Sequence, residues 1–123
     1  MVMQEAGEMY LENILRIQSE QGYVRSIDLA NRMGYSKPTI SEQMKKFREA
    51  GLVKFDKDMH IALTEKGMEI AAHTYERHVV ITRFLEALGV SPATSEADAC
   101  RFEHYISDET FTCMKRFVEK NKK

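Results

Sequence analysis

Apolar positions in the first third of the chain recur at helical spacing. Met9, Leu11, Ile14, Leu15 and Ile17 repeat within residues 5–21 and predict an amphipathic helix that stops before Gly22. Ser26 is placed to cap a second helix over residues 27–33, with Ile27, Leu29, Ala30 and Met33 on its inner side and Gly34 at its end. Ser36 caps a third helix, and Pro38 is tolerated in its first turn, where the missing N–H has no intrahelical partner. That helix runs through Ile40, Met44 and Phe47 to Ala50, and Gly51 closes it. The pattern then changes. Residues 52–55 and 60–63 read as short strands around the turn Asp56-Lys-Asp-Met59. Thr64 caps a long helix reaching about residue 88. Ser91-Pro92 opens another that runs to about Tyr105, and Ser107-Asp108-Glu109 begins the last, with acids where the helix dipole favours them. Residues 120–123 are expected to fray.

Helix, short helix, turn, helix and hairpin describe a winged helix-turn-helix, with Gly34-Tyr-Ser36 as its short turn. In such modules the second helix of the pair enters the major groove of double-stranded DNA. The exposed face of that helix offers Lys37, Thr39, Ser41, Glu42, Gln43, Lys45 and Lys46, whose hydroxyls, amide and ammonium groups suit base edges and phosphates. The full DNA-facing set read here is Arg25, Ser36, Lys37, Pro38, Thr39, Ser41, Gln43, Lys45 and Lys46, with Lys57 on the hairpin turn. Winged helices also bind proteins, so the fold alone does not decide the partner.

Composition narrows the class further. The chain has 123 residues, enough for one domain or two small lobes, with 43% apolar and 30% charged residues. No apolar run approaches the roughly 18 residues of a membrane span, and residues 1–5 show no signal-peptide pattern, so a cytoplasmic protein without a membrane partner is expected. Two cysteines make no disulfide framework. Net charge is −1, but its distribution is uneven: residues 23–48 carry six bases against two acids, and residues 68–111 carry eight acids against three bases. The first segment suits polyanions and the second suits cations.

Within the acidic segment, Cys100, Glu103 and His104 stand at i, i+3 and i+4. On a helix they would point from one face, as a thiolate, a carboxylate and an imidazole able to hold a divalent transition metal. By spacing alone the commoner arrangement is a small core cysteine beside a polar face. His60 and His73 read as surface residues, and Cys113, at apolar spacing with Phe117, reads as core.

Several segments resemble the diphtheria-toxin-repressor family of metal-dependent transcriptional regulators, in colinear order over residues 5–118. They are Gly7-Glu-Met9-Tyr-Leu, Ser36-Lys-Pro38-Thr-Ile-Ser41, Gly51-Leu-Val, Leu63-Thr-Glu-Lys-Gly67, Arg77-His78 and Ala99-Cys100-Arg-Phe-Glu103-His104-Tyr-Ile-Ser-Asp108-Glu. The resemblance implies a mainly α chain: a winged helix-turn-helix over residues 1–66, then a helical dimerisation and metal-binding domain over residues 67–123. It implies a non-enzymatic homodimer that represses metal-uptake genes when metal binds. Iron-sensing members often carry an SH3-like domain as well; the sequence stops before one, as manganese-sensing members do.

Met9, Cys100, Glu103 and His104 match the primary metal site of the iron-sensing branch. His78 matches a second-site histidine of both branches, and Glu12 a ligand of the manganese-sensing branch. Thr82 and Glu96 depart from the iron branch, which has a glutamate and a histidine at those positions. The implied ligand set is therefore Met9, Glu12, His78, Cys100, Glu103 and His104, drawn from the first helix and from far along the chain. Soft Met9 and Cys100 favour Fe(II) over Mn(II) as the natural co-repressor, whereas Glu12 and the chain length resemble the manganese branch. Dimer contacts are expected through Phe102, Ile106, Phe111, Met114 and Phe117. Two other readings are a metal-independent winged-helix regulator and a thiol enzyme using Cys100 and His104; no phosphate loop or oxyanion motif accompanies the latter.

Overall fold

The computed structural model describes residues 5–121, without the side chain of Glu5. Six helices and one two-stranded hairpin occur among the described residues: α1 Glu5–Gln21, α2 Ser26–Met33, α3 Lys37–Glu49, β1 Val53–Phe55, β2 Ile61–Leu63, α4 Glu65–Ala87, α5 Pro92–Phe102 and α6 Asp108–Lys120. Lys122 and Lys123, in the segment expected to fray, lie outside the described residues. The chain divides into two compact units, Met1–Ala72 and His73–Lys123.

In the first unit, Leu11, Ile14 and Ile17 of α1 are buried with Val24, Leu29, Ile40, Met44, Phe47, Leu52, Val53, Ile61 and Ala71 in one apolar cluster. Helices α1, α2 and α3 each contribute an inner stripe to that cluster, as the 3.6-residue spacing requires. Ser36 caps α3 by accepting from the backbone N–H of Thr39, with Pro38 in the first turn. The cap of α2 differs from the expected Ser26. It falls one residue earlier, where the Asp28 carboxylate accepts from the Arg25 backbone N–H (2.9 Å) and also from its guanidinium. The acid at the third helical position therefore takes over the orphan donor.

The hairpin is antiparallel, with Val53 opposite Leu63 and Phe55 opposite Ile61. Its turn closes on Asp56, whose Oδ1 accepts from the backbone of Asp58 (2.8 Å) and His60 (2.9 Å), while Met59 takes a positive φ of 62°. Ile61 N–H donates to Val24 O (2.7 Å), which ties the hairpin to the loop before α2. Thr64 caps α4 through Gly67 N (3.1 Å). A Cβ at Gly67 would lie 2.1 Å from Leu52 O, so only glycine permits this approach of α4 to the hairpin.

The second unit has a smaller apolar interior. Ile81, Ala99 and Met114 are buried, with Phe84, Leu85 and Ile106 against them. Ser91 and Ser107 cap α5 and α6 through Thr94 N and Thr110 N. Helix α5 ends at Phe102, three residues before the expected Tyr105, and Glu103 is its C-cap. Phe111 and Met114 turn inward, whereas Phe102 and Phe117 are exposed. Cys113 is exposed rather than core.

Candidate metal centre and DNA-facing helix

The early end of α5 changes how the candidate ligands are presented. Cys100 sits in the last turn of the helix, Glu103 caps it, and His104 follows in the turn. They are therefore not three side chains of one regular helix. What gathers them is His78 of α4. Its Nδ1 lies 2.9 Å from Glu103 Oε2 and 3.8 Å from Cys100 Sγ. Its Nε2 lies 3.0 Å from Glu96 Oε1. Glu103 Oε1 in turn faces His104 Nε2 at 3.4 Å. Three of these side chains are removed from solvent: His78 is 4% exposed and Glu103 and His104 are 1% exposed, whereas Glu96, at 50%, forms the rim.

The donor atoms of His78, Glu96 and Cys100 all lie within 4.8 Å of one another, close enough to share one ion. A thiolate, an imidazole and carboxylates form a mixed donor set suited to later first-row divalent metals. His78 Nε2 is buried beside Glu96 at 3.0 Å without an aligned hydrogen bond, a contact better suited to a shared cation than to a proton. The residues present therefore fit a metal. Without one, hydrogen bonding to Cys100, and next to Glu103, pushes His78 up from 6.5 to about 11. A proton then occupies the place of the positive charge, and ligation must displace it.

Glu96 joins this cluster although the sequence reading left it out of the ligand set. Its signal was present: it precedes Cys100 by four residues on one helix, which places both on one face. Met9 and Glu12 belong to the first unit and stand three residues apart on α1, where Glu12 pairs with Arg16 at 3.4 Å.

The residues read from the sequence as DNA-facing all belong to the first unit. Ser36, Lys37, Pro38, Thr39, Ser41, Lys45 and Lys46 are exposed along α3, and Gln43 is half-buried. Their apolar neighbours Ile40, Met44 and Phe47 point inward, so one face is left for a partner. Ser36 Oγ also lies 2.9 Å from Thr39 Oγ1, which fixes the hydroxyls at the helix start. Lys57 is exposed at the hairpin turn. Arg25 is exposed, pairs with Asp28 at 3.0 Å and stacks over the Tyr23 ring.

The first unit thus combines an apolar-cored winged helix with an exposed basic face on α3, and the second holds the buried His78/Glu103 pair with Cys100 and Glu96 beside it. Two family descriptions match this chain: the iron dependent repressor N-terminal DNA binding domain over residues 2–61, and the iron dependent repressor metal binding and dimerisation domain over residues 64–123. The chain belongs to the iron dependent repressor family. It is 35% identical over 112 residues to the transcriptional regulator MntR of Escherichia coli, covering 91% of this chain and 72% of that one. It is 32% identical over 106 residues to the iron-dependent repressor IdeR of Mycobacterium tuberculosis, covering 85% of this chain and 46% of that one. Among solved structures, a manganese-dependent transcriptional repressor in complex with manganese superposes with a TM-score of 0.83 at 30% identity, over 92% of this chain. This chain spans about half the length of that structure, 52%. No helix among the described residues is long and apolar enough to cross a membrane.

Proposed function

We propose that this chain is a metal-activated transcriptional repressor, working as a cytoplasmic homodimer on operator DNA that controls metal-uptake genes. The observation that carries the reading is the convergence of Cys100, Glu103 and Glu96 on His78 within one unit of a chain whose other unit presents a basic recognition helix. The proposed ligands are His78, Cys100, Glu103 and His104, with Glu96 at the rim. Met9 and Glu12 enter the set through family resemblance alone. The DNA-binding portion is proposed to end near residue 66 and the metal-binding and dimerisation portion to follow it.

When bound, a divalent metal supplies a fixed positive charge that several side chains share at once. The chain's own residues do the rest. Glu103 bridges two imidazoles, His78 gives up its proton, and the carboxylates of Glu96 and Glu103 cease to repel each other. A dimer whose α3 helices are held about one helical turn of DNA apart, roughly 34 Å, reads two half-sites at once. Metal and operator then help each other bind by the same factor.

For the metal, the Cys100 thiolate favours Fe(II) as natural co-repressor, with Mn(II) activating more weakly. The test is an anaerobic DNA-binding titration with Fe(II), Mn(II) and Zn(II), repeated on Cys100→Glu. The variant is expected to move the Fe(II)-to-Mn(II) activation ratio toward manganese. An unchanged ratio would remove Cys100 as the selectivity element.

A further inference from the structure

Arg77 sits immediately before His78 on α4, buried, and reaches 26 to 31 residues along the chain. Its Nη1 donates to Ile106 O (2.8 Å) and to Glu103 O (3.4 Å). Its Nη2 donates to the carboxylate of Asp108, the first residue of α6. The guanidinium also lies over the Phe111 ring, 5.2 Å from its centroid. One side chain thus fastens the end of α5, the connecting turn and the start of α6.

The ligands need such a fastening because regular helix has ended before them. Glu103 still donates its N–H to Ala99 O (3.0 Å), but its carbonyl lies past the last helical residue and is taken by Arg77. A buried carbonyl without a donor is costly, and a guanidinium is the group that can serve two carbonyls and a carboxylate from one fixed plane. Consecutive residues of α4 therefore grip Glu103 at both ends: Arg77 holds its backbone oxygen and His78 its carboxylate. His104, the next residue, inherits its place from the same turn.

We infer that Arg77 is the positioning residue of the metal centre, holding the Glu103–His104 turn in its ligating shape without itself touching the ion. The inference rests on the metal-centre reading above. Groups that orient ligands typically change metal affinity by roughly 10–100-fold when replaced, and a lysine cannot reproduce the planar fork.

The test is an anaerobic Co(II) titration of the full chain, read by the thiolate-to-metal and ligand-field absorption bands. Wild type is compared with Arg77→Lys, with Asp108→Asn, and with Cys100→Ser. Arg77→Lys should lower Co(II) affinity at least roughly tenfold and alter the ligand-field bands at saturation. Asp108→Asn removes only the negative charge that pairs with the Arg77 guanidinium at an exposed position; it should lower affinity severalfold, and it carries the test should Arg77→Lys not fold. Wild-type affinity and bands in both variants, even with a lowered thermal midpoint of the metal-free protein, would reduce Arg77 to a structural role and overturn the inference. Failure of the underlying reading looks different: wild type itself would show no thiolate band, or Cys100→Ser would bind as wild type does.

Discussion

The two units use their interiors differently. The first encloses thirteen fully apolar positions plus Tyr10 in one cluster, and Glu12 is the one charged residue buried in it among the described residues. The second has three buried apolar residues at its centre, and close by it buries Arg77, His78 and Glu103. Apolar burial contributes the same stabilisation whatever ions are present. Buried charges do not: each depends on a counter-charge, so the structure around them responds to protons and metals. The comparison teaches that the proposed DNA-reading surface rests on a largely apolar scaffold, while the proposed metal-responsive element is the one left chemically unsettled.

The largest effect expected from that contrast is in the first unit. Ile40→Ala, at a fully buried position, should cost roughly 3 kcal/mol in urea unfolding, by the same amount with metal or with chelator. A cost that changes with metal would blur the division between the units. Glu103→Ala should behave in the opposite way. Saturating metal at about a hundred times its dissociation constant stabilises wild type by about 2.7 kcal/mol, and the variant should lose most of that increment.

Protons sharpen the contrast next. The folded state holds the His78 proton up to about pH 11, whereas the ordinary value is 6.5. Between these values the folded state binds more protons than the unfolded one. The contribution of His78 to the metal-free second unit is thus complete below about 6.5 and is lost as pH rises through 11. Metal affinity has the reverse sign, because ligation expels the proton: it should rise about tenfold per pH unit for one proton released. Metal titrations from pH 6 to 8 that show a flat affinity would contradict this.

How much of this was legible in the sequence follows from the reach of the interactions involved. The caps of Ser36, Thr64, Ser91 and Ser107 act over three residues, and all four are found where their sequence context puts them. Gly34 and Gly51 stop their helices for an equally local reason, a positive φ. The α2 cap lies one residue before Ser26 because the Asp28 carboxylate reaches back to the Arg25 N–H and the Arg25 carbonyl already accepts from Asp28 and Leu29. The end of α5 was not legible: an arginine 26 residues upstream supplies the donor that another helical turn would have supplied. Cys113 shows the same limit. Its spacing with Phe117 fits an apolar stripe, but both residues are exposed, and the inward positions of α6 are Phe111 and Met114.

The smallest expected effects lie on the exposed face of α3. Replacing Lys45 and Lys46 together by alanine should weaken binding to all duplexes alike and, with two lysines lost from each protomer of a dimer, reduce the slope of log affinity against log salt by about 4. Gln43→Ala should instead narrow the gap between a selected and a random duplex. Equal losses on both would count against Gln43 as a base reader.

The central claim is that the cluster around His78 controls the affinity of α3 for DNA. The direct measurement is anaerobic fluorescence anisotropy on a duplex selected from a random pool in the presence of Fe(II), with wild type and Cys100→Ser each measured with Fe(II) and with chelator. The account predicts at least roughly tenfold tighter binding with Fe(II) for wild type, a coupling of about 1.4 kcal/mol or more, and little or none for Cys100→Ser. Equal wild-type affinity with Fe(II) and with chelator would contradict it.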